Sequence, residues 1–138
     1  MKKIMLVFVL LLALLSICVF ELGYTHNVYS GLCEDAISLD TVIDEINKST
    51  QDNKDKTVHT AATIRIVDNI LYNWQLHKRW LMSFIHHNIL LELDKSIIRL
   101  HTLVYIDMYE DCKVECKSVI NLLNELRAYN KFSIQNIC

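Results

Sequence analysis

Cys112 and Cys116, four residues apart, and the histidines His77, His86, His87 and His101 are the side chains with the most obvious chemistry. A thiol pair can run a redox cycle or hold zinc. The redox motif takes two intervening residues, and here there are three. Zinc needs further ligands at finger or ribbon spacing, and neither His101 nor the more distant histidines stand at one. His86 and His87 are adjacent, so on a helix they point about 100° apart and share no face. No His-Glu-x-x-His, Gly-x-Ser-x-Gly or cysteine–histidine signature occurs. These residues argue for no enzyme activity, no metal and no cofactor. The remaining constellation is a basic–aromatic cluster, Trp74, His77, Lys78, Arg79 and Trp80. Tryptophan and arginine are the usual interface anchors, which makes the cluster a candidate partner contact. The alternative is that both tryptophans cap the core.

The elements that position these groups are helices. Among 138 residues there is no proline and there are only two glycines, Gly23 and Gly31. Hairpins and phosphate-cradling loops need glycine at positive φ, so β-sandwiches, Rossmann domains and P-loops are excluded. One domain of all-α class, a small bundle of about four helices, fits the length. The first helix is expected over 34–48, with Glu34 and Asp35 in its first turn and Ala36, Leu39, Ile43 and Ile46 inward. Residues 49–56 hold no apolar side chain and read as a loop. Thr57 is placed to cap a second helix, 58–75, with Ile64, Val67, Leu71 and Trp74 inward. A third runs over 78–108 on the stripe Leu81, Ile85, Ile89, Leu93, Ile97, Leu100, Val104 and Met108. Asp111 is expected to cap a fourth, 112–129, facing the core with Cys116, Val119, Leu123 and Leu126. Residues 130–138 read as a tail.

Lys2 and Lys3 precede an apolar run, Ile4–Phe20, with small residues at Ser16 and Cys18. This is the pattern of a secretory signal peptide over 1–18, cleaved after Cys18, leaving an N-terminal extension, 19–32, and a domain, 33–138. A retained signal anchor is the alternative, since seventeen residues reach the low end of a membrane span. Loss of Lys2 and Lys3 leaves twelve basic residues against sixteen acidic ones, a net charge of −4, which gives no support for nucleic-acid binding. Cleavage implies a secreted chain with no membrane span. Its four cysteines, Cys33, Cys112, Cys116 and Cys138, suggest two disulfides, with three pairings open. A Cys33–Cys138 bond would close a loop of about a hundred residues, nominally worth about 4–5 kcal/mol. Asn47, in Asn47-Lys48-Ser49, is a glycan acceptor if the host is eukaryotic.

Several landmarks taken together resemble the type I interferons. Cys33 resembles the first member of that family's disulfide, and Thr60-Ala61-Ala62-Thr63-Ile64 the entry to its second helix. Trp80, followed by Leu90, Leu93, Ile97 and Leu100, is similar to the Trp-led helix. Leu126–Cys138, with Phe132 at the tyrosine position, looks like the stretch ending in the partner cysteine. The likeness covers about residues 33–138 and lacks the family's first and last helices. It implies a secreted cytokine-like protein that binds a cell-surface receptor, with a Cys33–Cys138 disulfide. A carrier for a small apolar ligand, suggested by the surplus of apolar side chains on the third helix, and a truncated decoy ligand are the rival expectations. Glycine-poor, short connections at 49–57 and 76–78 favour neighbouring antiparallel helices over long crossovers.

Overall fold

The computed structural model describes residues 2–48, 53–83 and 87–135. They form α1 (Lys2–Lys48), α2 (Asn53–Leu81), α3 (His87–Tyr105) and α4 (Tyr109–Gln135), with no strand among the described residues. A seven-residue repeat of buried side chains builds the core. On α1 it runs through Tyr29, Ala36 and Ile43, and in parallel through Leu32, Leu39 and Ile46. On α2 it runs through Val67, Trp74 and Leu81, with Thr63 and Ile70 between them. Leu90, Ile97 and Val104 with Leu93 and Leu100 continue it on α3. Tyr109, Cys116 and Leu123 with Cys112, Val119 and Leu126 complete it on α4. A 3.5-residue seam keeps one stripe facing its neighbours along the whole helix, which is the packing of four-helix bundles. Each helix packs chiefly on two others, α1 and α3 each against α2 and α4, while across one diagonal the Thr60 and Tyr109 hydroxyls lie 3.3 Å apart. Short connections join neighbours, so the chain runs up-down-up-down.

The helix bounds differ from those expected. The first helix does not start at 34; α1 has 47 residues, about 70 Å at 1.5 Å per residue, and includes the apolar run and residues 19–32. Thr25, Tyr29 and Leu32, from the stretch read as an extension, are buried in the bundle. No proline interrupts this stretch, and Gly23 and Gly31 both keep negative φ. Asp35 is consequently mid-helix, where it accepts a hydrogen bond from Asn69 Nδ2 at 2.8 Å and ties α1 to α2. Thr57 lies inside α2 rather than capping it. The turn into α3 comes after Leu81 and not near residue 77, with Met82 N–H bonded to Lys78 O at 2.9 Å and Ser83 N–H to Trp80 O at 3.1 Å. The basic–aromatic cluster therefore closes α2. The apolar stripe through Leu81, Ile85 and Ile89 hid this turn, because the segment has neither glycine nor proline.

α3 ends early in a Schellman closure. Met108 N–H bonds Leu103 O at 3.0 Å and Asp107 N–H bonds Val104 O at 3.2 Å. Asp107 takes the left-handed position at φ 58°, which aspartate tolerates better than most residues. Cys112 N–H bonds Met108 O at 2.9 Å, so α4 begins before Asp111. Asp111 is then a first-turn carboxylate beside Glu110, opposing the helix dipole, and not the cap. α4 also takes in residues 130–135 of the expected tail.

No expected disulfide is present among the described residues. Cys33, Cys112 and Cys116 are buried free thiols, and Cys138 lies outside the described residues. Cys112 and Cys116 occupy seam positions and Cys33 lies beside the α1 seam, all within the core, where a thiol packs as a small hydrophobe. A β-carbon built on Gly31 meets nothing within 4 Å. Gly31→Ala is therefore expected to stabilise the bundle by about 0.5–1 kcal/mol, through lower unfolded-chain entropy. A urea midpoint that falls would contradict this.

Candidate functional site

Antiparallel packing of α1 and α2 brings the cluster at the end of α2 against Tyr24 of α1. The Tyr24 hydroxyl and His77 Nδ1 share a hydrogen bond. The Tyr24 ring meets His77 edge-on at 5.4 Å and Trp80 at 4.6 Å. Phe20, one turn earlier, stacks on Tyr24 at 6.2 Å. Beside this group Tyr24, Asn27, Val28, Gly31, Asn73 and His77 line an open, mixed polar–apolar cleft of about 400 Å³.

The five residues of the cluster part ways. Trp74 is fully buried, and its indole N–H donates to Asp94 Oδ1 at 2.8 Å. Lys78 Nζ donates to Asp94 Oδ2 at 2.6 Å. Burial pushes the Asp94 carboxyl up, but the Lys78 and Trp74 hydrogen bonds and the ammonium charge outweigh it and hold the group below its ordinary range. Trp74, Lys78 and Asp94 thus fasten α2 to α3. His77 and Trp80 are half-buried against Tyr24, and Arg79 is exposed. Asp94 and Tyr24 escaped the sequence reading. A buried indole N–H needs an acceptor, yet nothing local points to one twenty residues on.

Among the other candidates, His101 Nε2 lies 3.0 Å from Asp68 Oδ1. Tyr105 OH donates to the two oxygens of the same carboxylate at 3.0 and 3.2 Å. That hydrogen bond, chiefly, raises the Tyr105 hydroxyl above its ordinary range. The trio joins α2 to α3 at the surface; Tyr105 bonds the carboxylate rather than the ring, so it does not form a nucleophile–base pair. His87 is exposed at the start of α3, and His86 lies outside the described residues. Asn47 is exposed near the end of α1, while Ser49 of its sequon is outside the described residues. Among the described residues no three His, Cys, Asp or Glu side chains gather as a metal site.

Burial, with the charge of Asp111, pushes the Cys112 thiol up to about 11. Burial, with Asp40, Cys112 and Glu115 nearby, pushes Cys116 up to about 12. At pH 8 neither forms appreciable thiolate, so both are expected to resist iodoacetamide in the folded protein and react in urea. Rapid alkylation of either in the native state, read by peptide mass, would contradict this. Asp40 Oδ1 is buried without a hydrogen-bond partner, and half-buried Asp44 pairs with Lys113 across α1 and α4.

No curated protein and no solved structure matches the chain. Residues 28–137, which span the bundle and exclude the apolar run, match the model of DUF4363, a domain of unknown function, and the chain belongs to that family.

Proposed function

We propose that the chain is an exported helical module, kept at the membrane by α1, that works by binding another protein along its exposed helix faces. The continuity of α1 carries the reading. The large apolar side chains from Ile4 to Phe20 are 52–75% exposed, and the bundle covers none of them. The run is the one segment of the described residues long and apolar enough to cross a membrane. Its seventeen residues extend about 25 Å, close to the roughly 30 Å of bilayer hydrocarbon. Lys2 and Lys3 at one end and Glu21 at the other orient it by the positive-inside rule, with the bundle outside the cytoplasm. Tyr72, Leu76, Ile98, Tyr105 and Val114 then offer apolar contacts on exposed faces, each at least half exposed.

Membranes washed with alkaline carbonate are expected to retain a chain whose intact mass includes residues 1–18. External protease on intact cells should digest its bundle. A soluble product beginning at Val19 would refute the tether. It would favour the second reading, a released cytokine-like ligand for a cell-surface receptor, which is supported by the order of landmarks from Cys33 to Leu126.

A further inference from the structure

We propose that the foot of the bundle, formed by Tyr24, Arg79 and Trp80 above Phe20, is a contact site for phospholipid headgroups that seats the bundle upright on the outer leaflet. The inference rests on the reading of α1 as a retained span and adds to it what α2 does there. Phe20 is the last apolar residue of the run and is 69% exposed. Tyr24 lies four residues on, about 6 Å further along the axis. That rise matches the headgroup layer, about 5–7 Å on each side of the hydrocarbon.

The Tyr24–Trp80 ring contact at 4.6 Å fixes the end of α2 at that same level. Once the run is in the bilayer, Trp80 has no other depth available. Tryptophan and tyrosine favour this layer, because the ring enters the acyl boundary while the polar edge stays wet. Arg79, exposed in the last turn of α2, is placed to meet a lipid phosphate. Lys78 is engaged by Asp94 and contributes less. The Tyr24–His77 hydrogen bond and the Trp74–Asp94–Lys78 fastening hold the foot rigid, so α1, α2 and α3 meet the surface as one body.

The test uses the full chain in vesicles of phosphatidylcholine and phosphatidylglycerol carrying a headgroup nitroxide as quencher. Wild-type tryptophan emission is expected to be quenched about twofold more than that of Trp80→Phe, because Trp80 sits at the quencher's depth and Trp74 is buried in the bundle. Arg79→Glu, at an exposed position in the last turn of α2, should lower the quenching while lowering the thermal midpoint only slightly. Equal quenching of wild type and Trp80→Phe, in a chain that resists carbonate extraction, would overturn the headgroup contact and leave the span standing. Unchanged quenching in Arg79→Glu would overturn the phosphate contact. Extraction of the chain by carbonate would overturn the span, and the headgroup contact with it.

Discussion

Trp74→Ala is expected to cost the bundle about 3–5 kcal/mol, the range for deleting a large buried aromatic. Domains of this kind are stable by only about 5–15 kcal/mol, so the variant should lie near its unfolding threshold at 37 °C. The size of the effect has two sources. The indole is fully buried on the α2 seam, and its N–H is one of two donors holding the Asp94 carboxylate. Trp74→Phe keeps most of the volume but leaves Asp94 short of a donor, which places its cost at about 1–3 kcal/mol. Asp94→Asn keeps an acceptor for the indole and loses the charge facing Lys78. It should also change the response to acid. The folded-state value of Asp94 is depressed below the ordinary carboxylate range of about 3.9, so the unfolded chain takes up the proton first as pH falls. The stabilisation is complete above that range and is lost as pH drops through the folded value. Urea unfolding followed by circular dichroism from neutral pH downward is expected to show a shallower acid loss in Asp94→Asn than in wild type. Parallel acid profiles, or a Trp74→Ala loss below about 1 kcal/mol, would contradict the role given to this fastening.

The second large effect separates the span from the bundle. Leu11 and Leu12 lie at the middle of the apolar run and are 55% and 52% exposed, touching no part of the core. Arginine at the centre of a membrane helix costs about 2.5–3.5 kcal/mol on the insertion scale, so Leu11→Arg with Leu12→Arg costs about 6 kcal/mol or more. At 1.4 kcal/mol per decade, that shifts membrane partition by about four orders of magnitude. The double variant should leave the carbonate-resistant fraction while keeping the wild-type thermal midpoint. Retention in washed membranes would contradict the span. A lowered midpoint in the soluble form would show that the run packs on the bundle.

Most of the inward face of α3 was legible in the sequence, through Leu93, Ile97, Leu100 and Val104, and so were those of two further helices. Ala36, Leu39, Ile43 and Ile46 on α1 and Cys116, Val119, Leu123 and Leu126 on α4 are buried as their spacing implied. On α2, Val67 and Trp74 are buried as expected, but the other two positions of the stripe are not. Ile64 and Leu71 are half-buried, while the seam passes through Thr63 and Ile70. The Thr63 hydroxyl donates to Thr60 O at 2.8 Å and so can sit inside without an orphan group. Half of the candidate site was visible as well. The cluster Trp74–Trp80 stood out by residue type, but Tyr24, Asp68 and Asp94 lie 16 to 56 residues away from the side chains they serve. Their roles depend on how one helix is rotated against the next.

The sequence by itself determined the class: without proline and with two glycines, the chain has few ways to turn and many to continue a helix. It also determined that an apolar run precedes the domain. Only the tertiary structure decided that this run continues α1 without a break, so that the foot of α2 stands where the run ends. The same holds for the cysteines, whose number suggested cross-links, while Cys33, Cys112 and Cys116 are buried free thiols in the core. The physical reason is common to both. Composition and periodicity restrict each helix separately, whereas the depth, level and partner of a side chain follow from how four helices pack against one another.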